Sequence, residues 1–142
     1  MPKSIVQSLV AATISASTCL YGCGPHKALE SATAEVTHFH VQYDRERYED
    51  IYAQADPGMR SRITSSEWVS RLGANREKLG PVKASEMTEW HHSTLGSDTL
   101  LVTTYRTSFA KGAGTEIFTF RTVSARAALL AYSIDSPLIQ AK

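Results

Sequence analysis

Along the chain, apolar residues recur first at helical spacing and later at strand spacing. Leu29, Ala32, Val36, Phe39 and Tyr43 follow at steps of three and four, which stacks them on one face of a helix. Glu30, Glu35 and Gln42 fall outside that stripe. The charged run Asp44-Arg45-Glu46-Arg47 breaks the phase, and Tyr48, Ile51, Tyr52 and Ala55 set up a second, shorter stripe. Asp56-Pro57-Gly58 ends it, because proline lacks an amide donor and Pro-Gly favours a turn. Thr64-Ser65-Ser66-Glu67 announces a third helix. In that capping pattern the hydroxyl and the carboxylate each engage a free backbone N–H. Trp68, Leu72 and Leu79 form its buried side, and Gly80-Pro81 stops it.

From Val82 onward β-branched and aromatic residues dominate and the period drops toward two. Strands are expected over 82–95, 99–110, 115–123 and 126–135, with turns at Gly96-Ser97-Asp98 and Lys111-Gly112-Ala113-Gly114. Short turns between long strands predict an antiparallel meander. Leu101, Tyr105 and Phe109 share one parity, as do Phe118 with Phe120, and Leu130 with Tyr132 and Ile134. Thr104, Arg106, Ser108, Thr119, Arg121, Ser133 and Asp135 take the other parity. One sheet face therefore packs on helices and the other meets water. The expected class is α+β: amino-terminal helices on a four-stranded antiparallel meander.

The residues ahead of this domain have a different character. Lys3 gives a positive start, residues 5–20 are mildly apolar and uncharged, and Leu20-Tyr21-Gly22 leads into Cys23. That order describes a secretory signal peptide. A membrane-spanning helix needs about 20 predominantly apolar residues, and Gln7 with the Ser/Thr-rich run from Thr13 to Thr18 falls short of it. Leu20-Tyr21-Gly22-Cys23 resembles the bacterial lipobox. The resemblance implies cleavage before Cys23 and a diacylglyceryl thioether on its sulfur, with an amide-linked third chain in many bacteria. Two acyl chains suffice for stable anchoring. It also implies an address on the cell envelope. Because Gly24 stands where an aspartate would favour inner-membrane retention, that address is the periplasmic side of the outer membrane if the source is Gram-negative. The organisation expected is a signal peptide at 1–22, a lipidated cysteine and short tether at 23–27, a domain at 28–136 and a tail at 137–142. An ordinary signal peptide, or a buried first helix of a cytosolic domain, is the competing reading.

Composition narrows the partners. A chain of 142 residues has room for one ordinary domain. Its 42% apolar and 20% charged residues belong to a globular protein. Lys3 is the only charged side chain before Cys23, so the remainder balances 14 basic against 14 acidic residues. Nucleic-acid binders gather a basic excess into a patch, and none is expected here. Cys19 and Cys23 are the only cysteines. A chain cut before Cys23 keeps one thiol, too few for an internal disulfide or a multi-thiolate zinc site.

Three helices followed by a meander resemble the cystatin-like cone of the nuclear transport factor two superfamily. The likeness extends to an uncharacterised exported bacterial family with that fold. It rests on Tyr48, Trp68, the run Arg76-Glu77-Lys78-Leu79-Gly80, Glu116 and Ala131-Tyr132. One departure stands out. The family tends to carry a tryptophan early in the last strand, where this chain has Ala127 and Ala128, which points to a smaller core or a pocket at that end.

Glu116 is the foremost candidate for chemistry, since buried carboxylates can serve as acid or base. In isomerase- and dehydratase-like branches of this fold, the resemblance implies, such a residue works with a His or Tyr; His40, Tyr105 and Tyr132 are candidate partners. The plainer expectation is that Glu116 ends a strand and pairs with an arginine at the cone's edge. His38 and His40 lie about 200° apart on a helix, and His91 and His92 face opposite sides of a strand. Zinc wants three or four convergent ligands, so these histidines are expected at the surface or boundary. No cofactor or metal is expected. The Asp44–Arg47 charges form a solvated helix junction, and the stripe Tyr43, Tyr48, Tyr52 and Trp68 is expected in the core. If the cone is hollow, Tyr48, Tyr52, Trp68, Tyr105, Glu116, Phe118 and Tyr132 are the candidates to line it.

The leading functional expectation is a non-catalytic envelope lipoprotein, bound to the membrane through Cys23 and recognising a small apolar ligand or another envelope protein. The alternatives are a small isomerase- or hydrolase-type enzyme working inside the cone, and an immunity- or inhibitor-type protein. A homodimer through the open sheet face would cover Thr104, Arg106, Thr119 and Arg121.

Overall fold

The computed structural model describes residues 24–141; the segment expected to be a signal peptide with a lipobox, and both cysteines, lie outside the described residues. The order is α1 (Gly24–Asp44), α2 (Tyr48–Gln54), α3 (Pro57–Arg60), α4 (Ser65–Leu79), β1 (Val82–Leu95), β2 (Asp98–Phe109), β3 (Ala113–Val123), β4 (Arg126–Asp135) and α5 (Pro137–Gln140). The strands form one antiparallel sheet in the order β1-β2-β3-β4. The fold is α+β, a helical layer over a meander.

The apolar stripe decides how α1 sits. Ala28, Ala32, Val36, Phe39 and Tyr43 are all buried. The helix begins at Gly24, so residues expected to tether the domain form its first turn instead. Pro25 permits this, because a proline amide in the first turn would have no partner anyway. Asp56-Pro57-Gly58 ends α2 and also starts α3, since the Asp56 carboxylate accepts the Gly58 N–H at 2.7 Å. The capping box of α4 is formed. Thr64 Oγ1 accepts the Glu67 N–H at 3.2 Å, and Glu67 Oε2 accepts the Thr64 N–H at 2.9 Å. Gly80 closes α4 with a φ of 78°, a conformation glycine adopts at no steric cost.

The core lies between the helices and one face of β2, β3 and β4. Leu101, Tyr105, Phe109, Phe118, Phe120 and Tyr132 are buried at the expected parity. In β4 the alternation slips. Phe120 pairs with Leu129 and Thr119 with Ala131, which leaves Leu130 as an extra residue. Ala127 and Leu129 thereby join the core instead of Leu130. Leu130 packs under α3, where a Cβ on Gly58 would stand 2.9 Å from its Cδ1.

Two further expectations change. The tail forms α5, capped by Ser136 Oγ and held to α4 where Lys78 Nζ donates to the Ile139 carbonyl at 3.1 Å. Strand β1 is largely exposed along its length, Val82 and Met87 alone being half-buried.

Candidate functional site

Four elements converge on one interior carboxylate. Strand β3 begins at Ala113, so Glu116 is its fourth residue and not its second, deeper than the sequence suggested. Even positions of β3 face the helices, and Glu116 is 1% exposed. His40 follows Phe39 on α1 and widens the buried stripe by one side chain. The Nε2 of His40 lies 2.8 Å from Glu116 Oε2. Thr107 Oγ1 of β2 donates to the same oxygen at 2.5 Å, and Tyr132 OH of β4 donates to Oε1 at 2.8 Å. Ser85 of β1 stands 2.8 Å from Thr107 Oγ1. Since the Thr107 proton points to Glu116, Ser85 is the donor in that pair. Three donors therefore meet two carboxylate oxygens, as a buried charge requires.

The expected arginine partner is replaced by this set. Arg121 reaches the other way, donating to Asp56 Oδ1 at 3.1 Å and standing 3.3 Å from Asp98 Oδ2. Of the four histidines considered, His40 is buried, against expectation. His38, His91 and His92 are exposed; His38 bonds to Gln42, and His92 packs edge-on to Trp90. Among the described residues, no group of three or more His, Cys, Asp or Glu could hold a metal ion.

Burial raises the Tyr132 phenol well above its ordinary value, and the neighbouring Glu116 charge adds to the effect. Burial likewise lifts Tyr43, Tyr105 and Tyr48. The phenols around this carboxylate are held protonated, and Tyr132 remains a donor.

The residues proposed to line a hollow cone fill it. Trp68, Tyr105, Glu116, Phe118 and Tyr132 form one cluster with Phe39. Phe118 meets Phe39, Tyr105 and Tyr132, and Trp68 meets Phe39 and Tyr132. Tyr48 and Tyr52 sit to one side on α2. The Tyr48 carbonyl accepts the Trp68 indole N–H at 3.1 Å, and Tyr52 OH donates to the Ile63 carbonyl at 2.9 Å. A void of about 20 Å³ remains beside Phe39, Phe118, Phe120 and Leu129, roughly enough for one water.

Space opens outside the core. A groove of about 320 Å³ runs between α3, α4 and β4. Met59, Trp68, Leu130 and Tyr132 line it, together with Arg62, Glu67 and Arg71. Glu67 is already engaged by the Thr64 amide and hydroxyl, which hold its carboxyl below the usual range. A second cleft of about 620 Å³ is lined by Glu35, Asp56, Arg121, Arg126, Ala127 and Ala128. It opens at Ala127 and Ala128, the end of the sheet where the sequence pointed to a pocket. Sequence reasoning missed both arginines of the first groove: Arg62 lies in the turn between α3 and α4 and Arg71 on the exposed face of α4, where neither carries a periodic signal.

Residues 35–127 match a family described as protein of unknown function, DUF4019. The chain belongs to the DUF4019 family. The DUF4019 match runs from the middle of α1 to the second residue of β4. It takes in His40, Thr107 and Glu116, while Tyr132 lies beyond it. No curated protein matches this DUF4019 chain.

Proposed function

We propose that this protein is a lipid-anchored component of the bacterial envelope that acts by binding and not by catalysis. The observation that carries the second half is the closure of the Glu116 site. A general acid or base must come within hydrogen-bond reach of a substrate proton. Every donor reaching Glu116 belongs to the protein's own interior, and Phe39, Phe118 and Tyr132 occupy the space a substrate would need. The binding surface is the α3–α4 groove. Its apolar floor with two arginines suits a small apolar ligand bearing an acid group, or an acidic apolar segment of another envelope protein. The anchor half rests on Leu20-Tyr21-Gly22-Cys23, with the outer membrane favoured by Gly24.

Two measurements test the proposal. Intact mass and labelled palmitate report on Cys23; an unmodified sulfur or a retained Met1 removes the anchor. Photocrosslinking from position 131, an exposed residue that also lines the groove, reports on it in intact cells, with Glu116→Gln beside it. Capture that survives Glu116→Gln and is lost with Arg62→Ala/Arg71→Ala supports binding at the groove. Turnover of a substrate that depends on Glu116 would overturn it.

A further inference from the structure

One end of the sheet carries the most exposed large apolar side chains among the described residues. Leu95 closes β1 and Val123 closes β3, at 68% and 66% exposure, while no other exceeds 41%. Leu95 pairs with Asp98, Thr99 with Thr122, and Val123 with Arg126. Leu95, Asp98, Val123 and Arg126 therefore form one row across all four strands. The two apolar tips stand two strand spacings apart, about 10 Å. The acid between them stands beside a cation, with Arg121 Nε 3.3 Å from Asp98 Oδ2.

The start of α1 comes to the same end. Its last residue, Asp44, accepts the Val82 N–H at the far end of the sheet, whereas Ser31 accepts the Ala127 N–H beside the row. Gly24 lies a further seven residues along the helix, which carries it about 10 Å past Ser31. His26 and Lys27 are exposed on this overhang. Residues 1–23 join the helix here, and Cys23 is bonded directly to its first residue with no linker between.

We infer that this end of the molecule docks on a phospholipid bilayer, with Leu95 and Val123 entering the acyl boundary and Lys27 and Arg126 facing the headgroups. The inference rests on the reading of Cys23 as a lipid anchor and adds an orientation to it. The sheet stands on its β1–β2 and β3–β4 turns, and Gly80, Lys111 and α5 lie farthest from the membrane. Apolar tips flanked by basic residues are the composition that an interfacial site requires, and a linker-free anchor keeps them within reach of lipid.

The test uses the full chain expressed and processed in cells. Cys19 and Cys23 are its only cysteines, so after processing and acylation a new thiol is a unique label. Leu95→Cys and Val123→Cys, with Lys83→Cys at the far end, each take a polarity-sensitive fluorophore. Nitroxide-bearing phosphatidylcholine is then introduced into the membranes. The expected result is blue-shifted emission at 95 and 123, quenched several-fold more than at 83. Equal, solvent-like emission at all three positions, in chains whose mass shows the acyl groups, overturns docking and leaves the anchor standing. Blue-shifted emission without lipid quenching also overturns it, pointing to a protein cover or a second copy. Chains whose mass shows no acyl group remove the anchor and the inference together.

Discussion

The interior around Glu116 and the groove beside α4 use the same materials to opposite ends. Both combine aromatic rings with charge, and Trp68 and Tyr132 belong to both. Inside, the charge is met by His40, Thr107 and Tyr132 and sealed from water. Outside, Arg62 and Arg71 are exposed over an apolar floor, and the nearby Glu67 carboxylate is held by Thr64. A carboxylate satisfied by its own protein is a structural part. A cation left open beside an apolar surface can meet something else. Trp68 and Tyr132 form a wall shared by the groove and the core behind it.

Removing the interior charge should have the largest effect. Glu116→Ala strands three buried donors, and loss of one side of such a set costs about 3–5 kcal/mol. Urea unfolding should show that loss; a variant as stable as the parent would mean that water already serves these groups. Alkali should act on the same region. The unfolded chain ionises its tyrosines near pH 10, while Tyr132, Tyr43 and Tyr105 stay protonated in the fold because burial raises them. Their contribution is complete below pH about 10 and is lost as pH rises toward the folded values. Melting temperature against pH, read beside tyrosinate absorbance, checks this; phenols that ionise near pH 10 in the intact fold would show an open cluster.

The groove should respond more gently. Thr64→Ala removes the cap that holds Glu67 and should cost about 1 kcal/mol. Because Glu67 is lowered in the fold, its contribution is present above the unfolded carboxyl value and is lost as pH falls through the folded one. A parent chain that loses stability on mild acidification, and a Thr64→Ala chain that loses less, would show the cap at work. Arg62→Ala/Arg71→Ala should leave stability within about 0.5 kcal/mol while abolishing capture at the groove. A large destabilisation from that pair would make the arginines structural and erase the contrast.

The strands were legible because alternation marks them and glycines mark the β1–β2 and β2–β3 turns, although Ser124-Ala125 joins β3 to β4 without one, and the Thr64 cap because its chemistry is local. The slip at Leu130 was not, since a bulge adds a residue without altering composition. The start of α1 was hidden by Pro25, which reads as a linker but is equally at home in a first turn. The short helix α5 did leave a signal, a Ser136-Pro137 start. At the interior site, parity placed Glu116 on the apolar side. Its bond to His40, 76 residues away, has no trace in local pattern, and the strand's early start at Ala113 moved the carboxylate inward.

The slip at Leu130 has a further consequence, for self-association. The outer margin of β4 is spoken for: the Leu129 carbonyl takes the Asp56 amide, and α3 lies across the bulge. The opposite margin, β1, is long and uncovered, but its register breaks at Ala84 and again at Glu89, and it bears Lys83, Glu86 and Glu89. Charge and irregularity on one margin, and a helix on the other, deny an incoming strand the flat template it needs. Copies crowded side by side are thus discouraged from zippering into ribbons.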